Sequence, residues 1–378
     1  MSKVIYLSHY DVPNGQRITY PAGVTVMEYV LDCLKAFSLN FTLVSSAVSK
    51  DPLPKETKKC EKGEFIFLKS NKAAPKKNIF LRLFNRLKHK KRLYNELLRN
   101  INDGDTLLVY HSLLYMNIIK KILKRKKITL ILQVCEIYSD VMENDSLRKK
   151  EILYCKCADR FIFQSEQLNS LINIENKPYA ILHGTYKVEE KFGSVSDDGI
   201  IHCVYAGTLD VRKGGAIAAA SAAEFLPSNY HIHILGFGSD ERIKETCKII
   251  DDIQQKSKCK VSYDGCLQGD EYKSFIQRCQ IGLSTQNPYA AFNSTSFPSK
   301  ILVYLINGLK VVTADIEAVR NSSVGEHLYY YQEQDPKRIA DAIVSAANDS
   351  DCDSKKLIST IDTDFKNRLR RLLNPNEE

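Results

Sequence analysis

The sequence predicts an α/β protein made of two doubly wound, Rossmann-like domains that face each other across a cleft. Three observations carry that expectation. Short runs rich in Val, Ile, Tyr and Phe alternate with amphipathic stretches at helical spacing, the pattern of parallel sheets joined by crossover helices. The 378 residues exceed what one compact core holds. A polar stretch, VEEKFGSVSDDGI (188–200), separates two such series and reads as a linker or domain edge. The expected domains are therefore 1–187 and 188–350, followed by a terminal helix within 351–378 that returns to the first domain.

In the first series, strands are expected at VIYLSH (4–9), NFTLVSS (40–46), TLLVYHS (106–112), ITLILQV (128–134), RFIFQS (160–165) and YAILHG (179–184). Helices fall between them at 24–37, 79–101, 114–126 and 146–157. The second series has HCVYAGT (202–208), HIHILG (231–236), KVSYDG (260–265), IGLSTQ (281–286) and KVVTAD (310–315), with YYYQ (329–332) ending it. Within it, FPSKILVYLING (297–308) places Pro298 in the first turn of a short helix that Asn307-Gly308 closes. Ile301, Leu302, Leu305 and Ile306 share one side at helical spacing, so that side is core. The opposite side carries Ser296, Ser299, Lys300, Val303 and Asn307, a polar stripe with a valine in it.

The hydrophobic fraction of 44% and the absence of low-complexity tracts fit a folded protein. Eleven cysteines are scattered singly, without a CxxC pair, and read as small buried hydrophobes in a reducing compartment. MSKVIYLSHYD opens as a strand, not a signal peptide, and no long apolar run crosses a membrane, so a cytoplasmic protein is expected. The net charge of +9 is concentrated between 72 and 99, where ten Lys and Arg residues face Glu96 alone. Ile79, Phe80, Leu83, Phe84 and Leu87 interleave there at helical spacing. This segment lies either on an anionic membrane surface or as a solvated helix whose apolar stripe is core. No nucleic-acid-binding module accompanies the charge, so no nucleic-acid partner is expected. LGFGSDE (235–241) holds only half of a dinucleotide fingerprint and no P-loop occurs, which disfavours nicotinamide and NTPase chemistry.

Three places in the second series put glycines or helix starts at strand ends, where phosphates bind. These are AGTLDVRKGG (206–215), the LGFG turn, and NSTSFPSK (293–300). Together with VSYDGCLQGDEY (261–272) and FNSTSFPSKILVYLINGLKVV (292–312), they resemble the donor domain of GT-B glycosyltransferases. The resemblance is to retaining family four, the enzymes of bacterial capsule and O-antigen synthesis. CEIYSDV (135–141), ADRFIFQSE (158–166) and LHGTY (182–186) extend the likeness into the first half.

The resemblance implies a sugar-nucleotide donor on the second domain and an acceptor on the first. Lys213 would contact the donor diphosphate beside Gly207, Thr208 and Arg212, and Gly236 and Gly238 would shape the cleft wall. The backbone at Gly265, Cys266 and Leu267 would hold the base. Ser294, Thr295, Ser296 and Phe297, with Ser299 and Lys300, would meet the diphosphate or sugar. The sequence departs from the family twice. Thr208 stands where an arginine usually follows the turn glycine, and the usual pair of glutamates falls at Thr295 and Val303. Val303 cannot accept a hydrogen bond from ribose.

On the acceptor side, His9, Asn14 and Gly15 are candidate binding residues. His111, Glu136 and Asp140 are the candidate catalytic groups; the two acids would orient the acceptor hydroxyl or act as base, or else cap the next helix. The expected activity is a metal-independent, hexosyltransferase-type transfer without a bound cofactor. The donor would be UDP-linked, the acceptor a lipid-linked or polysaccharide glycan, and the place of action the inner face of the plasma membrane. Two alternatives stay open: a degenerate GT-B protein serving as an assembly partner, and a sugar-nucleotide epimerase of the same fold.

Overall fold

The computed structural model describes residues 3–72, 78–209, 214–289 and 297–374. The chain forms two compact units. The first runs to Thr185 and resumes at Asp364; the second is Tyr186–Thr363.

The first unit holds strands β1 (Val4–Ser8), β2 (Phe41–Ser45), β3 (Glu56–Cys60), β4 (Gly63–Phe67), β5 (Thr106–Tyr110), β6 (Thr129–Val134), β7 (Arg160–Phe163) and β8 (Tyr179–Ile181). Its helices are α1 (Pro21–Ala36), α2 (Ile79–Asn100), α3 (Met116–Leu123), α4 (Tyr138–Val141), α5 (Asp145–Cys155) and α6 (Glu166–Ile172). The sheet order is β3-β4-β2-β1-β5-β6-β7-β8, parallel throughout except for the β3–β4 hairpin. β1, β2 and β5 are buried along their whole length, as strands covered on both faces must be. The hairpin has no counterpart in the expected strands. ETKKC is exposed and charged, a protected sheet edge that lacks the apolar run by which inner strands are recognised.

Helix starts follow local chemistry. The Asn78 side chain accepts from the Leu81 amide at 2.9 Å, and Asn144 accepts from Leu147 at 2.9 Å. Only the second half of α2 enters the core, through His89, Leu93, Glu96 and Leu97. In its first half, Phe80 is 87% exposed and Ile79, Leu83, Phe84 and Leu87 are each more than half exposed. The reading of this apolar stripe as core therefore fails for residues 79–87.

The second unit holds β9 (Ile201–Thr208), β10 (Tyr230–Phe237), β11 (Lys260–Gly265), β12 (Ile281–Ser284), β13 (Lys310–Ala314) and β14 (Tyr329–Tyr331). All are parallel, in the order β11-β10-β9-β12-β13-β14, which reverses direction between β9 and β12. The helices are α7 (Gly215–Ser221), α8 (Asp240–Gln254), α9 (Gly269–Arg278), α10 (Ser299–Ile306), α11 (Glu317–Arg320), α12 (Pro336–Asn348) and α13 (Ser354–Leu373). The unit boundary falls inside α13, not at 350. The end of α13 packs in the first unit, where Phe365 lies 5.7 Å from Tyr29 and Arg160 donates to the Leu372 carbonyl.

Residues 188–200 are irregular but tied down. Glu189 donates its amide to Ile306, the amides of Phe192 and Gly193 share the Gln277 side-chain oxygen, and Ser196 donates to Arg278. This segment straps α9 and α10 within its own unit.

Candidate active site

Parallel doubly wound sheets bind ligands at the strand C-termini, at the point where strand order reverses. In the first unit that point lies between β1 and β5, and a cavity of about 1020 Å³ opens there. His9 enters it from the end of β1, Ser46 from β2, Tyr110 and Ser112 from β5, and Cys135 and Glu136 from β6. Four cations, Lys72, Arg82, Arg86 and Arg92, line a largely apolar remaining wall, against Glu136 as the one carboxylate among the lining residues. Arg92 is held by the Lys69 carbonyl at 3.2 Å and the Asn71 side chain at 3.0 Å. Asn71 in turn bonds Asn85, which donates to the Lys72 carbonyl, so the segment before α2 is fastened to the helix.

The electrostatics of this cavity follow from enclosure. Burial lowers His9 to about 4, so its imidazole is neutral at pH 7, held edge-on to Tyr110 at 5.0 Å and Tyr20 at 6.2 Å. Burial also raises the Cys135 thiol to about 12, leaving it a poor nucleophile. Glu136 is raised above the usual carboxylate range by desolvation and by the charge of Glu151, with His111 opposing. A raised carboxyl at a cavity wall is suited to exchanging a proton with a bound hydroxyl.

The other acceptor-side candidates sit elsewhere. His111 is 1% exposed and does not face the cavity; its Nε2 lies 2.7 Å from Glu151, which also accepts from the amides of Tyr138 and Ser139. It is a buried anchor that fixes α4 and α5. Asp140 is exposed and paired with Arg148 at 2.6 Å, outside the cavity lining. Asn14 and Gly15 form an exposed turn, also outside that lining. Gly15 is dictated by the buried Asp11, whose carboxylate would lie 2.1 Å from any Cβ there. Asn14 is left-handed at φ 59°, a conformation asparagine tolerates.

In the second unit the reversal lies between β9 and β12. These strands pair only at Cys203–Ile281 and Val204–Gly282, after which β9 continues alone on that side. Tyr304 from α10 fills the opening: its hydroxyl accepts from the Ala206 amide at 2.9 Å and donates to the Leu283 carbonyl at 3.3 Å. A Cβ at Gly282 would sit 2.2 Å from the Tyr304 ring, so the glycine is required. Lys300 lies 3.8 Å over the Tyr205 ring and occupies the space a Cβ at Gly207 would need. Gly207 and Lys300 thus meet at the strand end, with Thr208 completing β9.

Gly236 has a different reason from cleft shaping. A Cβ there would lie 2.1 Å from the Gly207 carbonyl, so its absence lets β10 pack on β9. Gly238 sits in ordinary contact range of Leu209 and closer to Arg242, and Gly265 ends β11 at φ +87°. Beyond it Cys266 is exposed and Leu267 half-buried. Pro298 precedes α10 rather than entering its first turn, and Gly308 closes it at φ +91°. Phe297 is buried, Ser299 exposed and Val303 half-buried. Asn307 is buried, not part of a polar stripe: it takes a bond from Gln277 at 3.0 Å and donates to the Val303 carbonyl at 2.8 Å. Arg212, Lys213, Ser294, Thr295 and Ser296 lie outside the described residues.

Two features escaped the sequence reading. Tyr304 was hidden inside a hydrophobic run. The alternating histidines of HIHILG meet His202 on the adjacent strand, which only the β9–β10 register brings about.

No protein-family model matches the sequence, and no curated protein matches it. The fold has clear counterparts, and they define it as the GT-B fold. Apo OtsA is similar at a TM-score of 0.65 and 11% identity, over 99% of both chains. The trehalose-6-phosphate protein of E. coli bound with UDP-2-fluoro glucose gives 0.60 at 13% identity, over 99% of this chain and 95% of that one. Sucrose-phosphate synthase from Thermosynechococcus elongatus gives 0.61 at 14% identity, with the same coverage. Among the described residues no helix is long and apolar enough to cross a membrane.

Proposed function

We propose that the chain is a glycosyltransferase that moves a sugar from a UDP-linked donor on the second unit to an anionic acceptor in the cavity of the first. The observation that carries this reading is the likeness of nearly the whole chain to GT-B synthases, one of them bound with UDP-2-fluoro glucose. Lys300 beside Gly207, together with Arg212, Lys213 and the amides near Ser294, Thr295 and Ser296, would neutralise the departing diphosphate. In that scheme the diphosphate charge is met by these cations and amides rather than by a bound metal. Glu136, with its raised carboxyl, would orient the acceptor hydroxyl.

The cavity's four cations favour an acceptor carrying phosphate. A lipid-linked glycan of the capsule or O-antigen type fits better than a free sugar phosphate. The helix that contributes Arg82 and Arg86 to the cavity also exposes Ile79, Phe80, Leu83, Phe84 and Leu87. A cationic cavity wall and an apolar helix face on one element suit an anionic headgroup anchored in a bilayer, which supports action at the inner face of the membrane.

Val303 and Thr208 favour a second reading, a donor site too weakened for turnover in a protein that acts as an assembly partner. Calorimetry and donor hydrolysis across a panel of UDP- and GDP-sugars test the main reading. Micromolar binding of a UDP-sugar with slow hydrolysis is expected, and neither binding nor hydrolysis across the panel overturns it. Val303→Glu should tighten the donor where a ribose contact is the missing element.

A further inference from the structure

We infer that His202, His231 and His233 form a binding site for a zinc-type divalent cation at the N-terminal edge of the second unit's sheet. The β9–β10 register sets His231 opposite His202, and His233 follows two residues on, hence on the same face. Each imidazole offers one ring nitrogen, and these lie within 4.8 Å of one another.

The surrounding hydrogen bonds fix the tautomers. His202 Nε2 lies 3.1 Å from the Asp198 carboxylate, and His233 Nδ1 lies 3.1 Å from that of Asp264. Ionised carboxylates only accept, so both of these nitrogens carry the proton. The nitrogens left over, Nδ1 of His202 and Nε2 of His233, then confront each other at 2.8 Å with lone pairs only. Ser262 donates to Asp264 at 2.9 Å, so its oxygen accepts from His231 Nε2 at 2.8 Å, leaving Nδ1 of His231 unprotonated. Three imidazoles are thereby oriented with their basic nitrogens unprotonated, two of them in direct repulsion. A proton or a cation between those two resolves the contact.

A metal ion answers this better than a proton, because it uses all three lone pairs and not two. Carboxylates that hold the far N–H of ligating histidines are the usual outer partners of such ions, raising ligand basicity. Three imidazoles and an open position are a zinc-type donor set. Two bonds of about 2.1 Å at a tetrahedral angle separate nitrogens by roughly 3.4 Å, so His202 must move outward by about half an ångström. It is the member with room to do so, at 14% side-chain exposure. Phe275 of α9 stands edge-on to His233 at 5.1 Å and closes one side.

This site is separate from the proposed donor site. His202 and His231 are the second residues of their strands, whereas Gly207 sits near the end of β9, roughly 17 Å further along at about 3.3 Å per residue. The ion would join β9, β10 and, through Asp198, the irregular segment before β9.

The test is equilibrium dialysis of tag-free, chelator-stripped full-length protein with zinc, together with cobalt(II) absorption. One equivalent per chain is expected, with a tetrahedral cobalt spectrum lacking a thiolate charge-transfer band. His202→Ala and His231→Gln should each abolish the equivalent, and Asp264→Asn should weaken it about 10–100-fold. Zinc should raise the Tm of the wild type and leave that of His202→Ala unchanged. If His231→Gln does not fold, His202→Ala, at the more exposed of the two positions, decides alone. Absence of a stoichiometric zinc in the wild type, an equivalent that survives the histidine substitutions, or a thiolate band from cysteine ligation would each overturn the site.

Discussion

The two units wind their strands in closely related orders and differ in what occupies the place where strand order reverses. In the first, side chains from several strand ends and from α2 surround an open cavity. In the second, the gap between β9 and β12 is closed by the hydroxyl of Tyr304, and the strand end is shaped by residues that lack side chains: Gly207, Gly236 and Gly282. The first arrangement suits recognition through side-chain charge. The second suits recognition through close approach of backbone, as phosphates and nucleotide bases require. One sheet design thus leaves two different volumes at the same topological point.

That contrast can be broken from either side. The largest effect is expected from Glu151→Ala in the first unit. It strands His111 and the amides of Tyr138 and Ser139 in a dry interior, at a cost of about 3–5 kcal/mol. Urea midpoints followed by hydrogen exchange should show the loss in the first unit and spare the second. Next comes Gly282→Ala, which drives a methyl into the Tyr304 ring and costs about 1–3 kcal/mol. Here the same measurement should show the second unit weakened alone.

A pH titration separates the units on a smaller scale. His9 and His183 are lowered to about 4 by burial, and His89 is lowered for the same reason, all in the first unit. Each stays neutral when folded, while the unfolded chain takes up protons from about pH 6.5 downwards. Stability is therefore complete above that pH and falls towards pH 4, by on the order of 1 kcal/mol each for His9 and His183 at pH 5.5. Among the described residues His231 alone is lowered in this way in the second unit, so the first should soften sooner on acidification. The smallest change in stability belongs to Phe80→Ser, within about 0.5 kcal/mol, because that ring is almost fully exposed. Its effect should appear instead as lost flotation with anionic liposomes; undiminished flotation would remove the membrane from the proposed function.

The contrast also explains what the sequence disclosed. The second unit's strand ends were legible because glycines at strand termini are local signals, and every expected strand there is found within a few residues. The first unit's cavity was legible only in part: His9 and Glu136 were expected on the acceptor side and line it, while its other contributors taken alone pass for core or surface. His111 ends a strand in the sequence, and only the fold brings Glu151 from forty positions on to enclose it. Arg82 and Arg86 looked like headgroup contacts, yet α2 turns them into the cavity while its phenylalanines point outward. The β3–β4 edge was invisible because its polarity is what an unpaired edge demands.

Tyr304 and Gly282 have a consequence for how such a chain can diverge. The phenol bridges two strands whose own amides no longer reach, and the missing Cβ is the room it stands in. Neither position can drift by itself: a larger residue at 282 evicts the ring, and a smaller one at 304 opens a hole and orphans the Ala206 amide. Descendants of this sequence should keep both residues or exchange both together, a genetic coupling across twenty-two positions created by one hydroxyl group.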